Sequence, residues 1–276
     1  GTYTALITPF RDGAVDEPAL RNLIREQIAA GVDGIVPCGS TGESATMNHA
    51  EHQRVITISV EEAAGKVKVI AGTGSNNTAE AISLTTYAKK AGADAALLIS
   101  PYYNKPTQEG HVAHYRAIAD AAGLPLFVYN LPGRTGVNIL PETIAKMAEH
   151  PMIVGVKEAS GSLDQISRVI QLTEGRMTVL SGDDSLTLPL IAVGGHGVIA
   201  VVSNVVPGKT VAMVRAARAG DFETARKLHY ELLPIIQALF TETNPIPVKA
   251  AMAMLGKCGP ELRMPLTPIT EPNRKR

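Results

Sequence analysis

Eight short apolar runs, each closed by a polar or glycine-rich turn, set the strongest constraint on how this chain can fold. They read "TALITPF", "GIVPCG", "VKVIAGTG", "AALLISPYY", "PLFVYNLPG", "IVGVKEAS", "TVLSGDD" and "GVIAVVSN". They are rich in Val, Ile and Leu and lack polar alternation, the pattern of parallel strands buried on both faces. Helix-compatible stretches lie between them, among them Glu17 to Ala30, His52 to Ala64, Thr78 to Ala91, Glu109 to Ala121 and Leu140 to Ala148. An alternation of strand and helix repeated eight times predicts an α/β fold of the (β/α)8 TIM-barrel type, with an open doubly wound sheet as the competitor. The count favours the barrel, and neither GxGxxG after the first strand nor GxxxxGK[ST] anywhere supports the open sheet. After Gly220 the pattern becomes helical without strands. Asp221 is a plausible N-cap for a run to about Phe240, and "NPIPVKAAMAMLGKCG" begins another. The expected organisation is a catalytic barrel over 1–220 and a C-terminal helical extension over 221–276. A truncation is expected where a further helix could begin in "PLTPITEPNRKR", and the start inside "TYTALITPF" suggests a missing natural N-terminus.

Charge excludes several function classes. The 26 basic and 26 acidic residues cancel, so no global field favours nucleic acid, an anionic membrane or a polyanionic substrate. Cys38 and Cys258 form neither a disulfide framework nor a CxxC pair, which places the protein in a reducing, cytoplasmic compartment. No run of about 18 apolar residues predicts a membrane span. With no Trp and four Phe, the core must be aliphatic.

Barrel active sites lie where strands end, and the sixth run ends in Lys157, a lysine closing an apolar strand. Side chains alternate across a strand, so Lys157, Gly155 and Ile153 should share the inward face while Val154 and Val156 meet the helices. Gly155 is then expected to leave space beside the lysine stem, and Tyr129 to lie level with Lys157 on the preceding strand. A desolvated lysine has a lowered pKa, and its free amine can attack a carbonyl to give a Schiff base. Tyr129, Ser40 and Thr41 offer hydroxyls for proton movement. An ion pair with Glu158 or another carboxylate explains the lysine equally well from pattern alone.

Other strand ends hold weaker signals. "GSTGES" is a tight turn that could hold a phosphate or a carboxylate. Arg134 presents a bidentate fork for a carboxylate, or is a solvated surface residue. Asp183 and Asp184 in "SGDDS" would repel a substrate phosphate, and helix capping is their commoner role. The pairs His49/His52 and His111/His114 lack HExxH context, so no metal site is expected. Cys38 reads as a small apolar filler.

The motifs "CGSTGESAT", "GTGSNNTAEAI", "SPYYNKPTQEG", "YNLPGRTG", "GVKEASG", "LSGDD", "GGHGVIAV" and "NPIPVK" occur in order along nearly the whole chain. Together they resemble the bacterial dihydrodipicolinate synthase family, within the N-acetylneuraminate lyase group of Schiff-base aldolases. The resemblance implies condensation of pyruvate with L-aspartate 4-semialdehyde in diaminopimelate and lysine biosynthesis, with no cofactor beyond a covalent imine on Lys157. It implies proton transfer by Tyr129, Ser40 and Tyr103, the last reaching in from a neighbouring subunit. Ser40 stands where the family usually has threonine. Thr41 would hold the pyruvate carboxylate, Arg134 the semialdehyde carboxylate, and Gly182 and Ile199 would give backbone contacts. Ser44, Ala45, His49, His52, Asn76, Glu80 and Tyr102 match a feedback site for lysine, although Asn77 and Glu80 also read as a capping box. The implied assembly is a homotetramer of tight dimers. Two rivals are a related pyruvate lyase such as N-acetylneuraminate lyase, and a barrel that senses amino or keto acids without turnover.

Overall fold

All eight apolar runs are strands in the computed structural model, which describes residues 1–275. They are β1 (Thr2–Ala5), β2 (Gly34–Val36), β3 (Lys68–Gly72), β4 (Ala95–Ile99), β5 (Leu126–Asn130), β6 (Ile153–Glu158), β7 (Thr178–Ser181) and β8 (Gly197–Ala200). Neighbours in sequence are neighbours in the sheet, and β1 beside β8 closes the barrel. The ladders β1 to β2 and β5 to β6 are parallel, as in every other pairing resolved between barrel strands. The open-sheet alternative is therefore excluded. Parallel strands deliver their following loops to one end of a barrel, the end at which such folds place their chemistry.

Local chemistry sets the helix boundaries. Asp16 caps the helix Glu17–Ala29 by accepting from the Ala19 N–H, and Thr107 caps Gln108–Ala122 through Gly110. Such caps contribute about 1 kcal/mol each. The second helix starts at His49, one turn before the expected His52, because Asn48 and Glu51 form a reciprocal capping box. The box expected at Asn77 and Glu80 takes another form: Asn77 accepts from the Ala79 N–H, while Glu80 accepts from Ser75 Oγ. A two-residue hairpin pairs Phe10–Arg11 with Ala14–Val15. Asp12 and Gly13 both have positive φ in its turn, the signature of a type I′ connection.

Two compact units divide the chain, one comprising 1–69 with the chain from Ala200 onward, the other 70–199. The first unit contains the C-terminal helices Phe222–Leu239, capped by Asp221 as expected, and Ile246–Met254. No strand follows Ala200 among the described residues, and the last helix there is only the short turn Glu271–Arg274. Among the described residues, no helix is long and apolar enough to cross a membrane.

Candidate active site

Within unit 70–199, strand register brings Tyr129 directly opposite Lys157. Lys157 is only 5% exposed, and its Nζ stands 4.2 Å from the centre of the Tyr129 ring. Burial lowers the Lys157 pKa to about 8; the buried carboxylate of Asp184 opposes that fall and Arg134 adds to it. Lowering an amine from 10.5 to about 8 raises its free-base fraction at pH 7 by a factor of about 300. Burial moves the Tyr129 phenol the other way, well above its ordinary value, with Arg134 opposing. A neutral phenol therefore faces an amine poised to lose its proton.

Glu158 does not supply the counter-charge that pattern alone left open. Its carboxylate accepts from Asn130 Nδ2 at 3.2 Å, from the Ser160 N–H at 2.7 Å and from Gln165 Nε2 at 3.2 Å. Those donors hold it on the opposite side of β6, as strand alternation requires. The ion pairs among the described residues include Lys249 but not Lys157.

The glycine that accommodates the lysine stem is Gly182, not Gly155. A Cβ at Gly182 would lie 3.0 Å from Lys157 Cε, 3.1 Å from its Cγ and 2.6 Å from Ala159 Cβ. At Gly155 the same atom would fall 2.2 Å from Phe127 Cε1, so the Phe127 ring fills the space expected for the lysine. Asp183 caps the next turn through the Ser185 N–H at 2.9 Å, as anticipated for one of the two aspartates. Arg134 is exposed on the turn Pro132–Thr135, from which its charge acts on both Lys157 and Tyr129.

Tyr103 is 90% exposed, with φ of 66°. Beside it, Asn76 Nδ2 donates to the Tyr102 carbonyl at 3.2 Å and Asn104 Nδ2 to the Asn76 carbonyl at 2.9 Å. Two candidate effector residues, Asn76 and Tyr102, are thereby tied together. Ile199 is buried on β8. His111 is buried with neither ring nitrogen partnered among the described residues, whereas His114 Nδ1 meets Thr78 Oγ1 at 2.9 Å.

In the other unit, the turn after β2 carries Ser40 and Thr41. Ser40 is partly exposed and Thr41 buried, and the Thr41 hydroxyl accepts from Asn244 Nδ2 at 2.9 Å. Glu43, next along the turn, has φ of 54° and meets Lys249 Nζ at 2.5 Å with both side chains fully buried. Lys249 also donates to the Glu261 carbonyl at 2.7 Å, and the Arg263 N–H donates to Glu43 Oε2 at 3.1 Å. Cys38 is buried, with burial raising its thiol pKa, which fits the filler role. Ser44 lies in a short helical turn, Ala45 follows it, His49 opens the next helix and His52 is buried on that helix. Sequence reading missed Asn244, Glu43, Lys249 and Arg263 as parts of this assembly. The signal was present: Lys249 interrupts the apolar "IPVKAAMAM" much as Lys157 interrupts "MIVGVKEAS".

The sequence matches the model of the dihydrodipicolinate synthetase family over residues 1–276. A relative named 4-hydroxy-tetrahydrodipicolinate synthase, from Nitratidesulfovibrio vulgaris strain DP4, is 56% identical, with 100% of this chain and 95% of the relative aligned. The crystal structure of the chloride-inhibited dihydrodipicolinate synthase from Acinetobacter baumannii, complexed with pyruvate, superposes with a TM-score of 0.98 at 43% identity, covering 100% of this chain and 95% of that one. The enzyme from Cyanidioschyzon merolae with lysine bound superposes with a TM-score of 0.95 at 43% identity, covering 99% and 94%.

Proposed function

The chain belongs to the dihydrodipicolinate synthetase family, and from that premise we propose that its barrel works through a covalent imine on Lys157. The protein is a lyase that condenses pyruvate with L-aspartate 4-semialdehyde to give 4-hydroxy-tetrahydrodipicolinate, the first committed step of diaminopimelate and lysine synthesis. The observation that carries the residue assignment is the buried amine of Lys157, outside any ion pair among the described residues, beside the neutral phenol of Tyr129.

The free amine adds to the pyruvate keto carbon. The resulting hydroxyl leaves as water once protonated, and the Tyr129 phenol supplies that proton. The iminium draws electrons from the methyl carbon, which loses a proton and becomes an enamine nucleophile. That carbon attacks the semialdehyde aldehyde, forming the new carbon–carbon bond. The semialdehyde amino group then displaces the lysine at the former keto carbon, closing the ring and restoring the free amine. Tyr129, Ser40 and Tyr103 move the protons, with Tyr103 provided by a neighbouring subunit. Its exposure supports that role and a homotetrameric assembly of tight dimers. Thr41 holds the pyruvate carboxylate and Arg134 that of the semialdehyde, while Gly182 and Ile199 supply backbone contacts. No further cofactor enters the cycle.

Free lysine regulates the enzyme through Ser44, Ala45, His49, His52, Asn76, Glu80 and Tyr102, a reading supported by the lysine-bound relative. Two unpaired cysteines suit a cytoplasmic location. A condensation assay tests the whole: purified protein given pyruvate and the semialdehyde forms the cyclic product, and lysine slows it. Turnover with N-acetylmannosamine in place of the semialdehyde would overturn the substrate assignment.

A further inference from the structure

Thr41 has its hydrogen-bonding role set by a residue from the far end of its own unit. Asn244 Nδ2 donates to Thr41 Oγ1 at 2.9 Å, and both side chains are buried. A hydroxyl that already accepts on one side retains its proton for a partner on the other. A carboxylate only accepts, so this polarity is the one that a bound carboxylate requires.

The turn carrying Thr41 is held just as firmly. Thr8 Oγ1 donates to the Gly42 carbonyl at 2.7 Å, and the Glu43 N–H donates to the Ser40 carbonyl at 3.1 Å. Glu43 adopts a left-handed conformation, which an L-residue sustains only where its surroundings over-determine it. Here the determinants are Lys249 Nζ at 2.5 Å on one carboxylate oxygen and the Arg263 N–H at 3.1 Å on the other. Asn244 lies one residue before Pro245, the N-cap of the helix Ile246–Met254, and Lys249 lies within that helix. A single segment, "NPIPVK", therefore supports both the hydroxyl and the turn.

We propose that Asn244 is a specificity-determining, positioning residue for 2-keto acids. It occupies the acceptor side of the Thr41 hydroxyl so that the proton points to the substrate carboxylate, while the Lys249–Glu43 pair fixes the turn beneath it. The inference rests on the reading of Thr41 as the carboxylate ligand and deepens it. The test is reductive trapping on Lys157 over a range of pyruvate concentrations, with hydroxyacetone as a ketone of similar size without a carboxylate. In Asn244→Ala the half-saturating pyruvate concentration should rise about tenfold, the value of one hydrogen bond. The plateau rate and hydroxyacetone trapping should stay within about twofold of the parent, since neither depends on one such bond. Asn244→Asp, nearly isosteric, should raise half-saturation further, because an aspartate accepts and draws the Thr41 proton inward.

Thermal unfolding of the same samples identifies folded variants. Equal losses with both ketones, or unchanged pyruvate saturation in either folded variant, would overturn the proposal. Failure of the unaltered protein to trap pyruvate on Lys157 is a distinct result: it removes the imine reading, and the proposal with it.

Discussion

Two buried lysines in this molecule look alike until their partners are counted. Lys157 is 5% exposed and Lys249 is 0% exposed. Each holds its ammonium over an aromatic ring, Lys157 at 4.2 Å from Tyr129 and Lys249 at 4.1 Å from Phe10. Burial lowers the pKa of both. Lys249, however, has a carboxylate at 2.5 Å and a carbonyl at 2.7 Å, both fixed by neighbouring structure. Lys157 has the Tyr129 ring at close range and no ion pair among the described residues, while the charge of Asp184 acts to raise its pKa. Neither burial nor an aromatic neighbour separates a structural cation from a nucleophile. The presence or absence of a bonded counter-charge does.

The contrast is broken most severely at Lys157. Lys157→Met should lower kcat by a factor on the order of 10⁴ or more, because the covalent route is lost entirely, yet leave the chain folded. Retained turnover would show that the two lysines are not so different. Lys249→Met should do the reverse, costing about 3–5 kcal/mol in denaturant unfolding by stranding the Glu43 carboxylate. Adding Glu43→Gln should recover most of that loss, since a neutral amide is far cheaper to bury unpaired than a charge.

Titration sharpens the comparison through stability. Lys157 loses its proton near pH 8 in the folded chain and near its ordinary value of 10.5 once unfolded. Below pH 8 both states are protonated, and the folded state bears the full cost of the buried charge. Between pH 8 and 10.5 only the unfolded chain holds the proton, so this group's contribution to stability rises with pH by about 3 kcal/mol. The rise should be absent from the stability curve of Lys157→Met, and so appear in full in the parent-minus-variant difference, as read by urea unfolding across that window.

The two glycines give a smaller contrast. Gly182→Ala forces a methyl against the Lys157 stem and Ala159, an overpacking of about 1–3 kcal/mol that should lower kcat by about tenfold or more. Gly155→Ala meets Phe127 instead and should reduce thermal stability while sparing the pKa of the imine-forming step. Ser40→Thr should be mildest, changing kcat by about threefold or less, because the hydroxyl stays and only its rotamer freedom narrows.

What could be read from the sequence follows from how local each cause is. Strand identity and the placement of Tyr129 opposite Lys157 depend on periodicity and neighbouring strands, and both were legible. Caps such as Asp221 were legible for the same reason. The glycine beside Lys157 was misassigned because alternation names the face that a residue shares, not the side chain that occupies the space; Phe127 is large enough to reach Gly155. The Glu43–Lys249 pair joins residues distant in the chain. Nothing local to "GSTGES" indicates that its glutamate is buried, and the lysine in "IPVKAAMAM" calls for either a nearby carboxylate or, as at Lys157, a chemical role, without saying which. The start of the second helix at His49 was missed because its cap lies before the apolar periodicity begins.

The most direct measurement of the central claim is borohydride reduction in the presence of pyruvate at pH 8, followed by peptide mapping of both lysines. The account predicts a reduced pyruvate adduct on Lys157 and none on Lys249. An adduct absent from Lys157 in folded protein, or distributed over both, would contradict it.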